Sequence, residues 1–510
     1  MRRAAIRLWR SDRGAVAPIV AISLLGLIAA GGLAFDYARL ASLDTELQSA
    51  ADQAALAAAT QLDGKSGAQT RATAAAQNLI TNRALFANDG ANRNVTVPTV
   101  LFYQTKTKVA ATGDADSRFV EVIVGTKRAF YALTPVVAAF SSAPISAKAF
   151  AGLGTAICKV PPVMICNPQE TSTNKTFDAT GLSGRGLNLV SVGGGSGNWA
   201  PGNFGYLNTG GGSSGAPGLR EALGWVSPPG DCVSQSGVNT KPGATVTVTD
   251  AFNTRFDIYD SGPSCPTGGA CPPASNTRKD LVQKNGNGNG VCSLGNNGWQ
   301  EASNPYLPTS ATTPLTAAAM PANMGYPRDM CHAISANGSC TDGRIGDGAW
   351  DRNAFFYVNY GSGFAWQSAM TAAGYTPGSV TRYQVYQWEM TNGLSNIAAP
   401  KAIDANLTAH ATPVCYAGSP AGGVVPGPSS VDRRRISTAV VNCTENSVNG
   451  SSVNVPVVKW IDLFLVEPSV ARARTSSGDI YAEIIDETGT GAAGVTVAQV
   501  VRRDVPYLIE

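Results

Sequence analysis

The chain has 510 residues, 38 basic against 35 acidic, with a formal net charge of +3 and only 14% charged residues. Five basic residues (Arg2, Arg3, Arg7, Arg10, Arg13) and one acid, Asp12, fall in the first 13 positions, leaving 33 basic and 34 acidic residues for everything else. A neutral body without clustered Lys/Arg cannot release the counterions that duplex binding requires, so nucleic acid is excluded as a partner.

After this basic tail (1–13) comes Gly14 to Phe35, GAVAPIVAISLLGLIAAGGLAF, 22 residues without a charge. At ~1.5 Å per residue it reaches ~33 Å, enough for a bilayer core of ~30 Å. Pro18 falls in the first turn or so, where a missing N–H is tolerated. Arginines before the run and Asp36 after it follow the positive-inside bias, so the expectation is an uncleaved single-pass inner-membrane helix, N-terminus cytoplasmic, with the bulk exported to the periplasm. The competing reading is a signal peptide cleaved after Gly32-Leu33-Ala34. It is disfavoured because the run exceeds a usual apolar core of ~7–15 residues and because helical patterning continues past Asp36.

Beyond Asp36, apolar positions recur at Leu40, Leu43, Leu47, Ala50, Ala54 and Ala57, the 3-4 spacing of a heptad seam. Asp44, Glu46 and Asp52 sit off it, and Gly64 is the expected stop. The predicted helix runs from Ala15 to Leu62, half in lipid and half a stalk. The seam serves either packing on its own domain or an intermolecular coiled coil. A second helix is predicted over 68–87, then β-branched strands over 92–103, 118–126 and 145–155.

From Ala156 the composition shifts. All ten cysteines (Cys158, Cys166, Cys232, Cys265, Cys271, Cys292, Cys331, Cys340, Cys415 and Cys443) lie beyond it, among Gly/Ser/Asn/Pro segments such as KNGNGNGVCSLGNNG (284–298). Gly (56) and Pro (30) together make about 17% of the chain without a period, which excludes collagen and indicates loop-rich folded structure. An even cysteine count in an exported chain reads as a disulfide framework. Short spacing suggests local loops at Cys158–Cys166, Cys265–Cys271 and Cys331–Cys340. Strands are predicted at 435–443, 455–468, 478–486 and 494–502. In 478–486, Ile480, Ala482 and Ile484 alternate with Asp479, Tyr481 and Glu483, as in a half-buried strand. The fold class expected is α+β: a transmembrane helix continuing into a stalk helix, a small α+β module (36–155), and a larger disulfide-rich, β-containing region (156–510).

The string from Arg13-Gly14 through Asp36-Tyr37, Leu47-Gln48, Ala51-Asp52, Ala54-Ala55-Leu56 and Ala58 resembles the N-terminal segment of TadG-like proteins of the tight-adherence (Flp) pilus assembly system. The C-terminal strings AVVNC (439–443), FLVEP (464–468) and IYAEI (480–484) are similar to that family's C-terminal end. Pseudopilins of the system carry a Gly followed five residues later by Glu. Here that position is Ile19, which implies a retained anchor. The resemblance implies a non-catalytic envelope component, anchored in the inner membrane, whose partners are pilus assembly proteins, pilin or cell-wall components. The alternative is a secreted or surface-exposed adhesin.

No reaction chemistry stands out. Several TadG-like proteins contain a von Willebrand A metal site, Asp-x-Ser-x-Ser, but DIYDSGPS (257–264) has Tyr259 and Ser261 where the serines belong. No Cys-x-x-Cys occurs for zinc. Asn285, Asn287, Asn289 and Gly290 imitate half a calcium loop but lack charge, with Asn296 in place of the closing Glu. Asp342, Asp347 and Asp351 read as turn aspartates, and Gly-x-Ser-x-Gly at 211–215 lies in a Gly/Ser tract without the strand a nucleophile elbow needs. His332 and His410 have no recognisable partner, Arg433-Arg434-Arg435 reads as a solvated turn, and no nucleotide fingerprint occurs. The expectation is no enzyme activity, no cofactor, no metal and no nucleotide.

Overall fold

The computed structural model describes residues 16–63, 66–78, 83–88, 90, 93–131, 142–158, 162–190, 203–208, 215–229, 232–234, 237–242, 248–260, 264–286, 288, 290–335, 340, 343–393, 399–427, 430–475, 478–488 and 501–509. The basic tail, the Gly-x-Ser-x-Gly serine, Asn287, Asn289, Asp342 and most of the strand predicted at 494–502 lie outside these residues. The chain is α+β and divides into two compact units, Met1–Thr155 with Asp504–Glu510, and Ala156–Arg503.

In the first unit, α1 (Val16–Ala59, 44 residues) runs uninterrupted through Asp36. Alanine and leucine carry it beyond the apolar run because neither loses much side-chain freedom in a helix. Its buried stripe is Leu43, Leu47, Ala50, Ala51, Ala54, Ala55, Ala58 and Ala59. Four seam positions therefore lie on this stripe. Leu40 is half-buried, while Ala57 falls beside the stripe, because a straight helix packed on a sheet drifts away from strict heptad spacing. The stripe packs on its own unit. Its neighbours include Ala72 and Ala76 of α2 (Ala68–Asn78) and Val120 and Val122 of a three-stranded antiparallel ladder. The strands are β1 (Thr99–Tyr103), β2 (Phe119–Ile123) and, beyond a hairpin of β3 (Lys127–Phe130) with β4 (Ser142–Ile145), β5 (Lys148–Cys158).

In β2–β5 register, Val120 faces Ala151 and Val122 faces Ala149. Small residues on sheet and helix alike let the two layers approach closely. The outer face carries Glu121, which accepts from the Tyr103 hydroxyl (3.0 Å) and pairs with Lys108 (2.5 Å). The ladder begins at Thr99, not at Asn92, because Pro98 cannot donate a rung. The second helix is described over Ala68–Asn78 and does not reach 87, since residues 83–88 are not helical. The final strand, Val501–Leu508, follows β5 in the sheet order.

The second unit is organised on a five-stranded mixed sheet. Its strands are β6 (Met164–Cys166), β7 (Gly186–Val190), β8 (Arg435–Val441), β9 (Val457–Leu465) and β10 (Ile480–Glu487), in spatial order β6-β8-β9-β10-β7. The β6–β8 pair is parallel and the others antiparallel. One face carries Ile436, Val440, Ile461, Leu463, Ile480 and Ala482 into a core with Phe252, Phe256 and Trp299. The other sends Phe464 and Tyr481 into an aromatic core with Phe355, Phe356 and Tyr386 from α3 (Arg352–Tyr360) and α4 (Arg382–Trp388), and, elsewhere, Ala439 and Trp460 into a separate cluster. Burial on both faces corrects the half-buried reading of 478–486: Ile480 through Ile484 are all buried, including Tyr481 and Glu483.

Among the described residues, four disulfides link Cys166–Cys443, Cys265–Cys271, Cys292–Cys415 and Cys331–Cys340. The local loop Cys158–Cys166 is therefore not made. The parallel β6–β8 pairing puts Cys166 beside Val441 and so near Cys443, 277 residues away in sequence. Cys158 stands instead in antiparallel register opposite Cys232 of the short strand Cys232–Ser234.

Candidate functional site

Two features stand out for function: the exposed half of α1 and a polar network inside the second unit. Among the described residues, α1 is the one helix long and apolar enough to cross a membrane, and only 6% of its most apolar 18-residue window is buried. Val16, Ile19, Ile22, Leu25, Leu27 and Ile28 are each at least half exposed, in all directions around the helix. An apolar helix serving as the core of a soluble domain would be covered. This one presents Leu and Ile to its surroundings over four turns, as a lipid-facing helix does. One stripe becomes covered at Gly32 and Asp36, one turn apart, and continues into Leu43 and Leu47.

The second unit answers a different problem. Its irregular loops leave many backbone carbonyls without ladder partners, and arginine is the side chain with enough donors to satisfy several at once. Arg434 is fully buried and donates to the carbonyls of Leu465 (2.8 Å) and Val466 (3.1 Å). Its guanidinium lies over Phe256 (4.4 Å) and Phe464 (5.0 Å). Arg433, also buried, donates to Pro272 (2.8 Å) and Trp225 (3.0 Å). Arg255 reaches Leu223 (2.6 Å) and the carbonyl of Arg433 (3.0 Å). Burial pushes all three below the ordinary arginine value, the electrostatic sign of desolvation that these carbonyls and rings offset. The solvated-turn reading of 433–435 is thus overturned. The only sequence hint was that AVV and WIDLFL mark a buried sheet immediately downstream, so its leading loop had to be buried as well.

Arg382 binds two carboxylates, Asp329 (2.7 Å) and Glu483 (2.7 Å), and the carbonyls of Gly184 (2.9 Å) and Pro327 (3.1 Å), with no exposed side-chain surface on any of the three charged groups. Burial alone would raise the Asp329 carboxyl; Arg382 and the amides of Gly348 and Gly186 outweigh it and hold the carboxyl below its usual value. Glycine is required at 186, since a Cβ there would collide with the Tyr481 hydroxyl. A second group joins Arg328 to Glu467 (2.8 Å) and Arg472 to Asp280 (2.5 Å), with Arg474 paired to Asp280.

The residues singled out for chemistry are absorbed into this scaffold. His332 is buried, with Nδ1 3.0 Å from the Tyr481 hydroxyl and Nε2 2.9 Å from the Gly343 carbonyl, and burial pushes its pKa down. His410 stands edge-on to Trp299, centroids 6.0 Å apart. Asp257 accepts from the amides of Val414 (2.6 Å), Cys415 (2.9 Å) and Tyr416 (3.0 Å). Asp347 accepts from the amide of Ala349 (2.9 Å), and Asp351 caps α3 through Ala354 (2.9 Å). Asn285 is engaged with Thr408 (2.6 Å) and the Ala405 carbonyl (3.2 Å). Cys331 and Cys340 adjoin His332, but as a disulfide they offer no thiolate to a metal. A cavity of about 740 Å³ is lined by Arg220, Asp250, Asp260, Glu301 and Arg472, with Arg220 already paired to Asp250 at 2.6 Å.

Residues 14–61 match the family model "Putative Flp pilus-assembly TadE/G-like". The matched stretch is α1 almost end to end, from its exposed apolar half to the last buried alanines. No curated protein and no solved structure matches the chain.

Proposed function

We propose that this chain is a non-catalytic envelope component of tight-adherence (Flp) pilus assembly, held in the inner membrane by α1 with its N-terminus cytoplasmic. Its two units stand on the periplasmic side, where they present surfaces to pilin, other assembly proteins or cell-wall components. The observation that carries the reading is a coincidence of boundaries: the pilus-assembly match over 14–61 covers the same helix that exposes its apolar residues on every side. Two further features support it. Disulfides persist in oxidising compartments, and the described residues hold four of them. His332, Asp257, Asp347 and Asp351, which could have carried chemistry, are engaged in holding backbone.

A topology reporter fused after residue 64, combined with a piliation assay in a deletion strain, tests both halves. Periplasmic activity of the reporter together with loss of pili is the expected result. A cytoplasmic reporter would overturn the topology. Material found free in the medium and lacking residues 1–34 would point to a secreted adhesin.

A further inference from the structure

The first unit carries exposed apolar side chains that its own core does not explain. Leu85 is 58% exposed and Phe86 42%, in a segment with no regular structure, and Phe130, at the end of β3, is 43% exposed. On α1, Phe35 (57%) and Tyr37 (73%) are open as well.

Hydrogen bonds draw these residues to one level of the molecule. The Arg39 Nε donates to the Phe86 carbonyl at 3.1 Å, and the Phe86 amide donates to Glu46 at 3.2 Å. Two residues on, the Asn88 side chain accepts from the Phe130 amide (2.6 Å) and donates to the Phe130 carbonyl (3.1 Å), while its own amide donates to the Arg128 carbonyl (3.3 Å). Residues 85–88 and the end of β3 are therefore tied to α1 beside Arg39. The connection between β3 and β4 contains ALTPVVAAFS (132–141), with no charged residue.

The helix supplies the ruler. The charge-free run ends at Phe35, and its ~33 Å fills a hydrocarbon core of ~30 Å, which puts the core edge near that residue. Headgroups extend ~5–8 Å further, and Arg39 stands four residues, ~6 Å, beyond Phe35. Glu46, the other α1 residue that holds the Phe86 backbone, stands eleven residues, ~17 Å, beyond Phe35, so the Phe86 backbone lies between these two levels, at the outer edge of the headgroups, and its ring is within a side chain's reach of them. Within the run, Gly32 is already buried, one turn before Asp36. Aromatic rings and arginines are the side chains that bilayer interfaces favour, the ring buried among acyl ends and the cation among phosphates.

From this we infer that the first unit rests directly on the outer surface of the bilayer that α1 crosses, with Leu85, Phe86 and Phe130 inserted at the interface as a collar around the helix. The partner of this surface is lipid. The inference depends on the anchor reading above and adds to it: α1 carries no free stalk, and its height and tilt are set by a second contact with the membrane. Arg39 and Arg128 would meet anionic headgroups in the same plane.

The test uses full-length protein with its disulfides intact, carrying one nitroxide label at a time on Leu27→Cys, Leu85→Cys, Phe86→Cys or Val109→Cys. Each is reconstituted into vesicles of phosphatidylethanolamine and phosphatidylglycerol, and the label's accessibility to oxygen and to a water-soluble nickel chelate is compared. Val109 is the aqueous reference. It is 51% exposed and precedes Asp114, whose carboxylate binds the Gly67 and Gln69 amides (2.7 and 2.9 Å) at the start of α2, beyond the far end of α1. Labels at 85 and 86 should show an oxygen-to-nickel ratio several-fold above that at 109, approaching that at 27. Water-like ratios at 85 and 86 with a lipid-like ratio at 27 overturn the collar and leave the anchor standing. A water-like ratio at 27 overturns both. Because the replaced side chains at 85, 86 and 109 are exposed, the labels leave the fold intact, which circular dichroism of each variant verifies.

Discussion

The two units solve the problem of burial with opposite materials. In the first, the core is mostly alanine and valine: eight residues of α1 pack with Val120, Val122, Ala149 and Ala151, and few charged side chains, Asp36, Glu121 and Lys127 among them, are buried. It contains no cysteine, since every cysteine lies at or beyond Cys158. In the second, a sheet buried on both faces is surrounded by loops whose backbone must be satisfied where no ladder can reach. Arg255, Arg382, Arg433 and Arg434 do this from fully buried positions, and disulfides restrain the loops themselves. Regular structure carries its own hydrogen bonds, so a small-residue core is sufficient. Irregular structure must import donors, and each imported charge has a desolvation cost that geometry has to offset.

Reduction gives the largest expected separation of the two. The Cys166–Cys443 bridge closes a span of 277 residues, and its removal alone should cost the second unit about 4–5 kcal/mol. Seven of the eight tryptophans lie between residues 199 and 460, so tryptophan fluorescence reports the second unit. After reduction its unfolding midpoint should fall steeply, while amide protection over Leu43–Ala59 stays unchanged. Equal losses in both would break the comparison. Next in size is Arg382→Met, which strands Asp329 and Glu483 without their partner and should cost about 3–5 kcal/mol on the same fluorescence transition. Arg382→Lys should recover only part of it, because an ammonium cannot span both carboxylates and two carbonyls with one planar fork.

What the sequence made legible follows the same division. The helix 16–59 could be read because apolarity and absence of charge as far as Phe35, and leucine and alanine spacing beyond it, agree along it, and the strands at 435–441, 457–465 and 480–487 could be read from their β-branched runs. The buried arginines could not. A run such as Arg433-Arg434-Arg435 looks solvated to any rule based on residue type, and what overrides that rule is non-local: carbonyls of Pro272, Trp225 and Leu465 that converge only once the sheet is formed. The alternation in 478–486 misled for a related reason. Tyr481 and Glu483 are polar side chains with partners, Asp329 and Arg382, that lie about a hundred residues or more away. Cysteine spacing fails likewise where a parallel strand pair carries Cys166 to Cys443. In the candidate site, the apolar span was visible as composition, but which face of α1 is covered depends on the sheet it meets.

A smaller effect should appear in the first unit from its own packing. Leu47→Ala removes a fully buried side chain from the α1–sheet contact and should cost about 2–5 kcal/mol, at the lower end if the surrounding alanines close in. Ala54→Leu at the same contact should cost about 1–3 kcal/mol by forcing helix and sheet apart. Both losses belong in the amide exchange of α1 and not in tryptophan fluorescence. A shift in fluorescence of comparable size would mean that the units unfold as one.

The smallest predicted effect is a pH dependence confined to one turn of the first unit. Asp116 is held down to about 2, first by the Thr112 hydroxyl (2.6 Å) and then by the amides of Thr112 (3.0 Å) and Gly113 (2.9 Å), all of which favour its charged form. A carboxyl whose folded value lies below its unfolded value of about 3.9 binds fewer protons in the native state. Its contribution is therefore present in full above about pH 4 and is lost as pH falls through about 2. Amide exchange at Thr112 and Gly113, corrected for the intrinsic rate, should hold steady from neutral pH to about 4 and accelerate below it. In Asp116→Asn the same amides should exchange faster at every pH, with no acid step. An acid step that survives the substitution would assign it to Asp114, whose own carboxylate holds the start of α2 through Gly67 and Gln69.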